Sequence, residues 1–125
     1  MATEFVVKLK DRPGTLAALT SALGAAGVNI RAVGGTKGTV GIVVGDKDTA
    51  KTRRALKKAK YRATERGVIE LRLSDKPGSL SAAAKRFAKG KVNIASAYVI
   101  GPGRGKVSVA FGVKNARAAK KALGR

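Results

Sequence analysis

The chain repeats itself. Asp11-Arg12-Pro13-Gly14-Thr15-Leu16 returns 64 positions later as Asp75-Lys76-Pro77-Gly78-Ser79-Leu80. At the same offset Leu9 matches Leu73, and Val28-Asn29-Ile30 matches Val92-Asn93-Ile94. Beyond that the offset grows to 67: Val40, Ile42 and Val44 match Val107, Val109 and Phe111, and Leu56 matches Leu123. The extra residues fall in Gly101-Pro102-Gly103-Arg104-Gly105, a turn-rich stretch where insertion costs little. Two matched blocks with one loop insertion define a duplicated unit, and they divide the chain into residues 1–66 and 67–125.

Each copy reads the same way. Phe5–Leu9 and Val68–Leu73 are strands, the second alternating apolar and charged residues. Pro13 and Pro77 suit a first helical position. The helix from Pro13 to Ala26 lines up Leu16, Leu19 and Leu23, and its counterpart lines up Leu80, Ala83 and Phe87. Gly27 and Gly90 are expected to end these helices in the left-handed conformation. Val28–Val33 and Val92–Ile100 are second strands, Gly34–Gly38 and Gly101–Gly105 hairpin turns, and Val40–Val44 and Val107–Val113 third strands. Asp48 and Asn115 are expected N-caps of second helices reaching Lys58 and Leu123. Tyr61–Glu65 supplies a fourth strand to the first copy, whereas the second has none. The expected fold class is α+β: two ferredoxin-like βαββαβ units, antiparallel sheets with the helices on one face, the second unit lacking its last strand. The strand at 68–73 then needs its open edge covered, by the strand at 61–65 or by another subunit. Units of this size are marginal alone, so the two halves are expected to share an interface and the whole to form a homodimer or larger assembly.

A strand closed by Asp-x-Pro-Gly-x-Leu, then a helix, then Val-Asn-Ile opening the next strand, resembles the ACT domain family. Both copies carry the pattern, and small proteins of two joined ACT units have this size and layout. The resemblance implies a ferredoxin-like fold and a free amino acid bound at an interface between units. It further implies control of a partner enzyme or of gene expression. On that pattern the ligand-binding residues are Asp11, Arg12, Pro13, Gly14, Thr15, Leu16, Asn29 and Ile30, with Asp75, Lys76, Pro77, Gly78, Ser79, Leu80, Asn93 and Ile94 in the second copy.

The chemistry of these residue types agrees with such a ligand. A zwitterion needs an anion cradle and a cation partner close together. The N-terminus of a helix offers unpaired N–H groups and the positive end of the dipole to an α-carboxylate. Asp11 and Asp75 are placed to accept an ammonium, and Asn29 and Asn93, expected beside the loop, both donate and accept. The same residues have plainer uses: the aspartates as dipole partners, the glycines for close helix–strand packing, the asparagines in a turn.

Composition narrows the function classes. The 125 residues include no Cys, His or Trp, which removes thiol and imidazole catalysis and zinc sites built from N or S ligands. The seven carboxylates form no visible acid–base pair, so no enzyme, metal or cofactor is expected. Gly101–Lys106 departs from the phosphate-loop spacing and sits between two strands. Neither a signal peptide nor a spanning segment is visible, and a cytoplasmic protein is expected.

The formal charge is +20, with 27 Lys plus Arg against 7 Asp plus Glu spread over both halves. Lys51, Arg53, Arg54, Lys57 and Lys58 crowd one second helix; Lys114, Arg117, Lys120 and Lys121, followed by Arg125, crowd the other. This supports an alternative reading as a nucleic-acid or polyanion binder; an acidic partner enzyme would explain the charge equally well. Phe5, Tyr61, Tyr98 and Phe111 are the strand aromatics available for stacking bases.

Overall fold

The computed structural model describes residues 1–124, so Arg125 lies outside the described residues. The chain divides into two compact units, Met1–Glu65 and Arg66–Arg125. The first contains β1 (Thr3–Lys8), α1 (Thr15–Ala25), β2 (Ile30–Thr36), β3 (Thr39–Val44), a 3-10 turn (Asp46–Asp48) and α2 (Thr49–Lys58). A single strand, β4 (Ala63–Ser74), carries the chain from one unit into the other, followed by α3 (Ser79–Lys89), β5 (Ile94–Gly103), β6 (Lys106–Val113) and α4 (Ala116–Ala122). The fold is α+β and ferredoxin-like, with antiparallel pairing throughout the β1–β3, β2–β3, β4–β6 and β5–β6 ladders.

In the first unit the strand order is β2-β3-β1, with the opening residues of β4 beyond β1. The register runs Thr3↔Val44 and Ile30↔Val44 at one end to Lys8↔Thr39 and Thr36↔Thr39 at the other. β1 and β2 are therefore parallel to each other, both antiparallel to β3 between them. Phe5 and Val7, Ile42 and Val44 face α1 and α2, which answer with Leu19, Leu23 and Leu56, all buried in one core.

The second unit repeats this as β4-β6-β5. Ile69 and Leu71 oppose Phe111 and Val109, and Ala83, Phe87, Ala119 and Leu123 from α3 and α4 close the core. The Phe87 and Phe111 rings meet at 5.2 Å with a 58° tilt, a favourable edge-on arrangement. No strand follows α4 among the described residues.

Several local readings change. The two strands read at 61–65 and 68–73 are one, because nothing between Ala63 and Ser74 breaks the extended backbone. The helices begin at Thr15 and Ser79, two residues after the prolines. Leu16 and Leu80 consequently lie at the helix start and stay about half exposed, outside both cores. Asp48 occupies the N-cap position of α2, yet its side chain makes no capping bond; Asn115 does cap, accepting the Ala118 amide at 3.0 Å.

Helix α1 ends in a Schellman motif: Val28 N–H reaches Leu23 O at 3.0 Å and Gly27 N–H reaches Gly24 O at 3.0 Å, with Gly27 at φ +77°. In α3 the matching bonds are Val92 to Phe87 and Lys91 to Ala88, both 2.9 Å, so the left-handed residue is Lys91 at φ 59°. Gly90 itself is ordinary at φ −84°. Its glycine has a packing cause instead, since a Cβ there would stand 2.6 Å from the Ala122 Cβ on α4.

Candidate functional site

The Asp11–Leu16 segment is built on a β-turn. Thr15 N–H points to Arg12 O at 3.4 Å, and Gly14 takes φ 89°, ψ −12°. Proline second and a left-handed glycine third is the composition of a type II turn, which explains the Pro-Gly pair without a helical proline. Gly78 has φ 87°, ψ −12°, and Ser79 N–H again reaches back to Lys76 O at 3.4 Å. A Cβ at Gly14 or Gly78 would meet nothing within 4 Å, so the glycines serve backbone conformation and not close packing.

The turn delivers the start of α1 to the edge of a hollow of about 330 Å³. One wall is the continuous stretch Leu9–Leu16, and the other is Thr36, Gly38, Thr39 and Val40 from the β2–β3 hairpin. Leu9 N–H to Gly38 O at 3.0 Å pins the floor. In the first turn of α1 the amides of Leu16 and Ala17 have no helical carbonyl to bond, whereas Ala18 N–H is held by Gly14 O at 3.0 Å. Asp11 lies 3.8 Å from the Lys37 ammonium, both side chains exposed, a loose pair across the mouth. The Thr15 hydroxyl donates to Arg12 O at 3.0 Å and stiffens the loop. The hollow thus offers the Leu16 amide, the Asp11 carboxylate and the residues Thr36 and Thr39 on one small concave surface.

Asn29 is not part of it. It precedes β2 at the Val44 end of the sheet, whereas the loop leaves β1 at the Thr39 end; the intervening strand length is roughly 15–20 Å. The expectation that Asn29 lies beside the loop of its own unit fails because β1 and β2 run parallel, so the end of one is far from the start of the other. Its backbone N–H is engaged elsewhere, donating to Asp48 Oδ2 at 3.2 Å. Ile30 pairs with Val44 and packs on the first core. Asn93 and Ile94 repeat this at the Val113 end of the second sheet.

The second loop is closed more tightly. β4 extends to Ser74, paired with Lys106, and Asp75 N–H bonds Gly105 O at 2.9 Å. In the first unit the matching carbonyl, Gly38 O, stops two residues short, at Leu9. The longer β5–β6 hairpin therefore lies against Asp75, where the first copy leaves its hollow.

Sequence reasoning missed two features. Asp48 is buried, with its carboxyl held below the ordinary carboxylate value chiefly by the Asn29 N–H and then by Lys51, whose ammonium is 3.2 Å away. Arg53 grips Glu65 through two bonds of 2.7 and 2.8 Å, lowering the Glu65 pKa and tying α2 to the start of β4. Nearby, a hollow lined by Phe5, Leu56, Lys57 and Tyr61 adjoins this pair. Phe5 and Phe111 are buried, which removes them as stacking platforms for bases. Of the cations expected on the second helices, Lys51 and Arg53 are engaged in ion pairs, while Arg54, Lys57, Lys58, Lys114, Arg117, Lys120 and Lys121 are exposed. Among the described residues no cluster of three or more acidic groups could hold a metal ion, and no helix is long and apolar enough to cross a membrane.

The fold and the loop define a class of small α+β units with a Pro-Gly turn opening on a hollow. Residues 3–60, most of the first unit, match the ACT domain family model. No curated protein matches the sequence. Solved structures do. A protein from Bacteroides thetaiotaomicron aligns with TM-score 0.78 at 20% identity, over 98% of this chain and 85% of that one. The regulatory subunit of aspartate kinase from Thermus thermophilus, in ligand-free form, aligns with TM-score 0.68 at 19% identity, over 98% and 89%. Escherichia coli aspartokinase III in complex with lysine and aspartate aligns with TM-score 0.64 at 15% identity, over 98% of this chain but 30% of that one.

Proposed function

We propose that this protein is a non-enzymatic regulator that binds a free amino acid in the hollow beside Asp11–Leu16. The observation that carries the reading is the hollow itself: about 330 Å³, at the small end of ligand pockets (~300–1,000 Å³), with the start of α1 on its wall. The α-carboxylate meets the Leu16 amide at the start of α1, where the helix dipole favours negative charge. The ammonium replaces Lys37 on Asp11, an exchange that costs little because the existing pair is long and solvated. Leu16, half exposed on the same wall, offers apolar contact to a side chain.

The second unit is read as a second ACT domain on the strength of its matching turn, caps and core. The first copy is read as the binder, because its hollow is open while the longer β5–β6 hairpin lies against Asp75 in the other. Asn29 and Asn93 do not reach the loop of their own unit, so they serve a ligand bound to a different unit, and a cytoplasmic homodimer is the proposed assembly. Likeness to the aspartate kinase regulatory subunit and to the lysine-bound aspartokinase supports a regulatory role exerted on a partner enzyme. A coupling of ~1–3 kcal/mol between ligand and partner alters affinity about 5–150-fold.

A thermal-shift panel of the common amino acids tests the reading. A ligand at a hundred times its dissociation constant adds ~2.7 kcal/mol of stability. No response from any amino acid overturns it.

A further inference from the structure

We infer that the helix layer of the second unit is a surface for the phosphate backbone of double-stranded nucleic acid. Residues 76–125 contain twelve Lys and Arg and no Asp or Glu. α3 and α4 gather much of this charge on one face. Ala83, Phe87, Ala119 and Leu123 turn inward, leaving Lys85, Lys89, Arg117, Lys120 and Lys121 exposed. The close approach at Gly90 and Ala122, and the bond from Arg86 to Leu123 O at 2.9 Å, hold the helices as one surface. The unit's two acids lie off it: Glu70 is on the strand face opposite the Ile69 and Leu71 core side, and Asp75 is in the loop before α3.

Folding does not require these cations. In the matched helix α1, the positions of Lys85, Lys89 and Lys91 are held by Ser21, Ala25 and Gly27. Both helices bury the same inward positions and end in the same cap. Lys91 even accepts a left-handed backbone that glycine takes without strain. Three cations present in only one copy of a duplicated scaffold, at self-repulsive cost, mark a polyanion surface.

The occupant follows from what the face lacks. Protein interfaces centre on buried aromatic or aliphatic anchors, with charge depleted at the core. Here the only α3–α4 aromatic, Phe87, is fully buried. Without an exposed ring there is no platform for unstacked bases, which single-stranded recognition uses. Two rows of cations on helices about 8–10 Å apart are commensurate with phosphates across a duplex groove of about 6–12 Å.

The test is fluorescence anisotropy of the full chain with a mixed-sequence duplex across a salt series. With six or more phosphate contacts, affinity falls about a thousandfold or more between 50 and 200 mM salt. Lys85→Gln, Lys89→Gln, Arg117→Gln and Lys121→Gln together remove about 3–4 units from the log–log salt slope. A control with Lys8, Lys47, Arg54 and Lys58 changed to Gln keeps most of it. Equal losses in both variants, or poly-glutamate competing as well as duplex, overturn the assignment. So does a slope near zero with the unaltered protein, a result that stands whether or not the variants fold.

Discussion

The Asp48 carboxylate accepts the Asn29 backbone N–H at 3.2 Å, fastening the start of β2 to the entry of α2. The bond is internal to the first unit and stabilises the charged form of a buried acid. A carboxyl whose folded pKa is depressed contributes stability above its unfolded pKa and loses it as pH falls through the folded value. Its ordinary value is 3.8, so this contribution is complete at neutral pH and is lost progressively as pH falls below that value. Asp48→Asn lowers the denaturation midpoint at pH 7, and the gap from the unaltered protein narrows at pH 3. Parallel urea titrations at both pH values check this; a gap that widens in acid contradicts it.

Gly14 and Gly78 hold the left-handed corner of their turns in open space. Gly14→Ala and Gly78→Ala each cost ~1–2 kcal/mol from backbone strain alone. Asparagine, which tolerates that conformation, costs less. Equilibrium unfolding of the four variants separates conformation from crowding, since crowding would make Asn the worse of the two.

At the end of α3 the reverse change helps. Lys91→Gly relieves a left-handed side-chain clash of ~1–2 kcal/mol and loses ~0.5–1 to chain entropy. A net gain of about 0.5–1 kcal/mol is expected, visible as a rise in Tm.

Gly90→Ala forces a methyl to within 2.6 Å of Ala122 and destabilises by ~1–3 kcal/mol. Adding Ala122→Gly restores part of the loss, so a double-mutant cycle returns a favourable coupling. Additive effects would mean the two positions do not touch.

Asp11 is exposed and its ion pair with Lys37 is long. Asp11→Asn leaves the melting curve without ligand unchanged. If its carboxylate receives the ammonium, loss of a charged hydrogen bond of ~1.5–3 kcal/mol weakens amino-acid affinity about 10–150-fold by calorimetry.

Much of this architecture is legible in the chain because local rules act locally. The alternation of Val68–Leu73 predicts a half-covered strand, and Leu19 and Leu23 predict the buried face of α1. The misread cap is instructive. Composition favours Gly90 as the left-handed residue, but the offset of 64 from Gly27 points to Lys91, and the hydrogen bonds agree with the offset. Glycine answers more than one demand, and which one applies depends on a neighbour on α4.

The amino-acid order by itself determined the duplicated strand–helix plan and the excess of positive charge, since each follows from spacing, side-chain size or ionisation within a short stretch. Only the tertiary structure decided that Asp11 and Thr39 border one hollow while Asn29 lies at the far end of the sheet, and that the second hairpin closes on Asp75. Those relations depend on strand direction and register, which bring together residues distant in the chain and which no local pattern encodes.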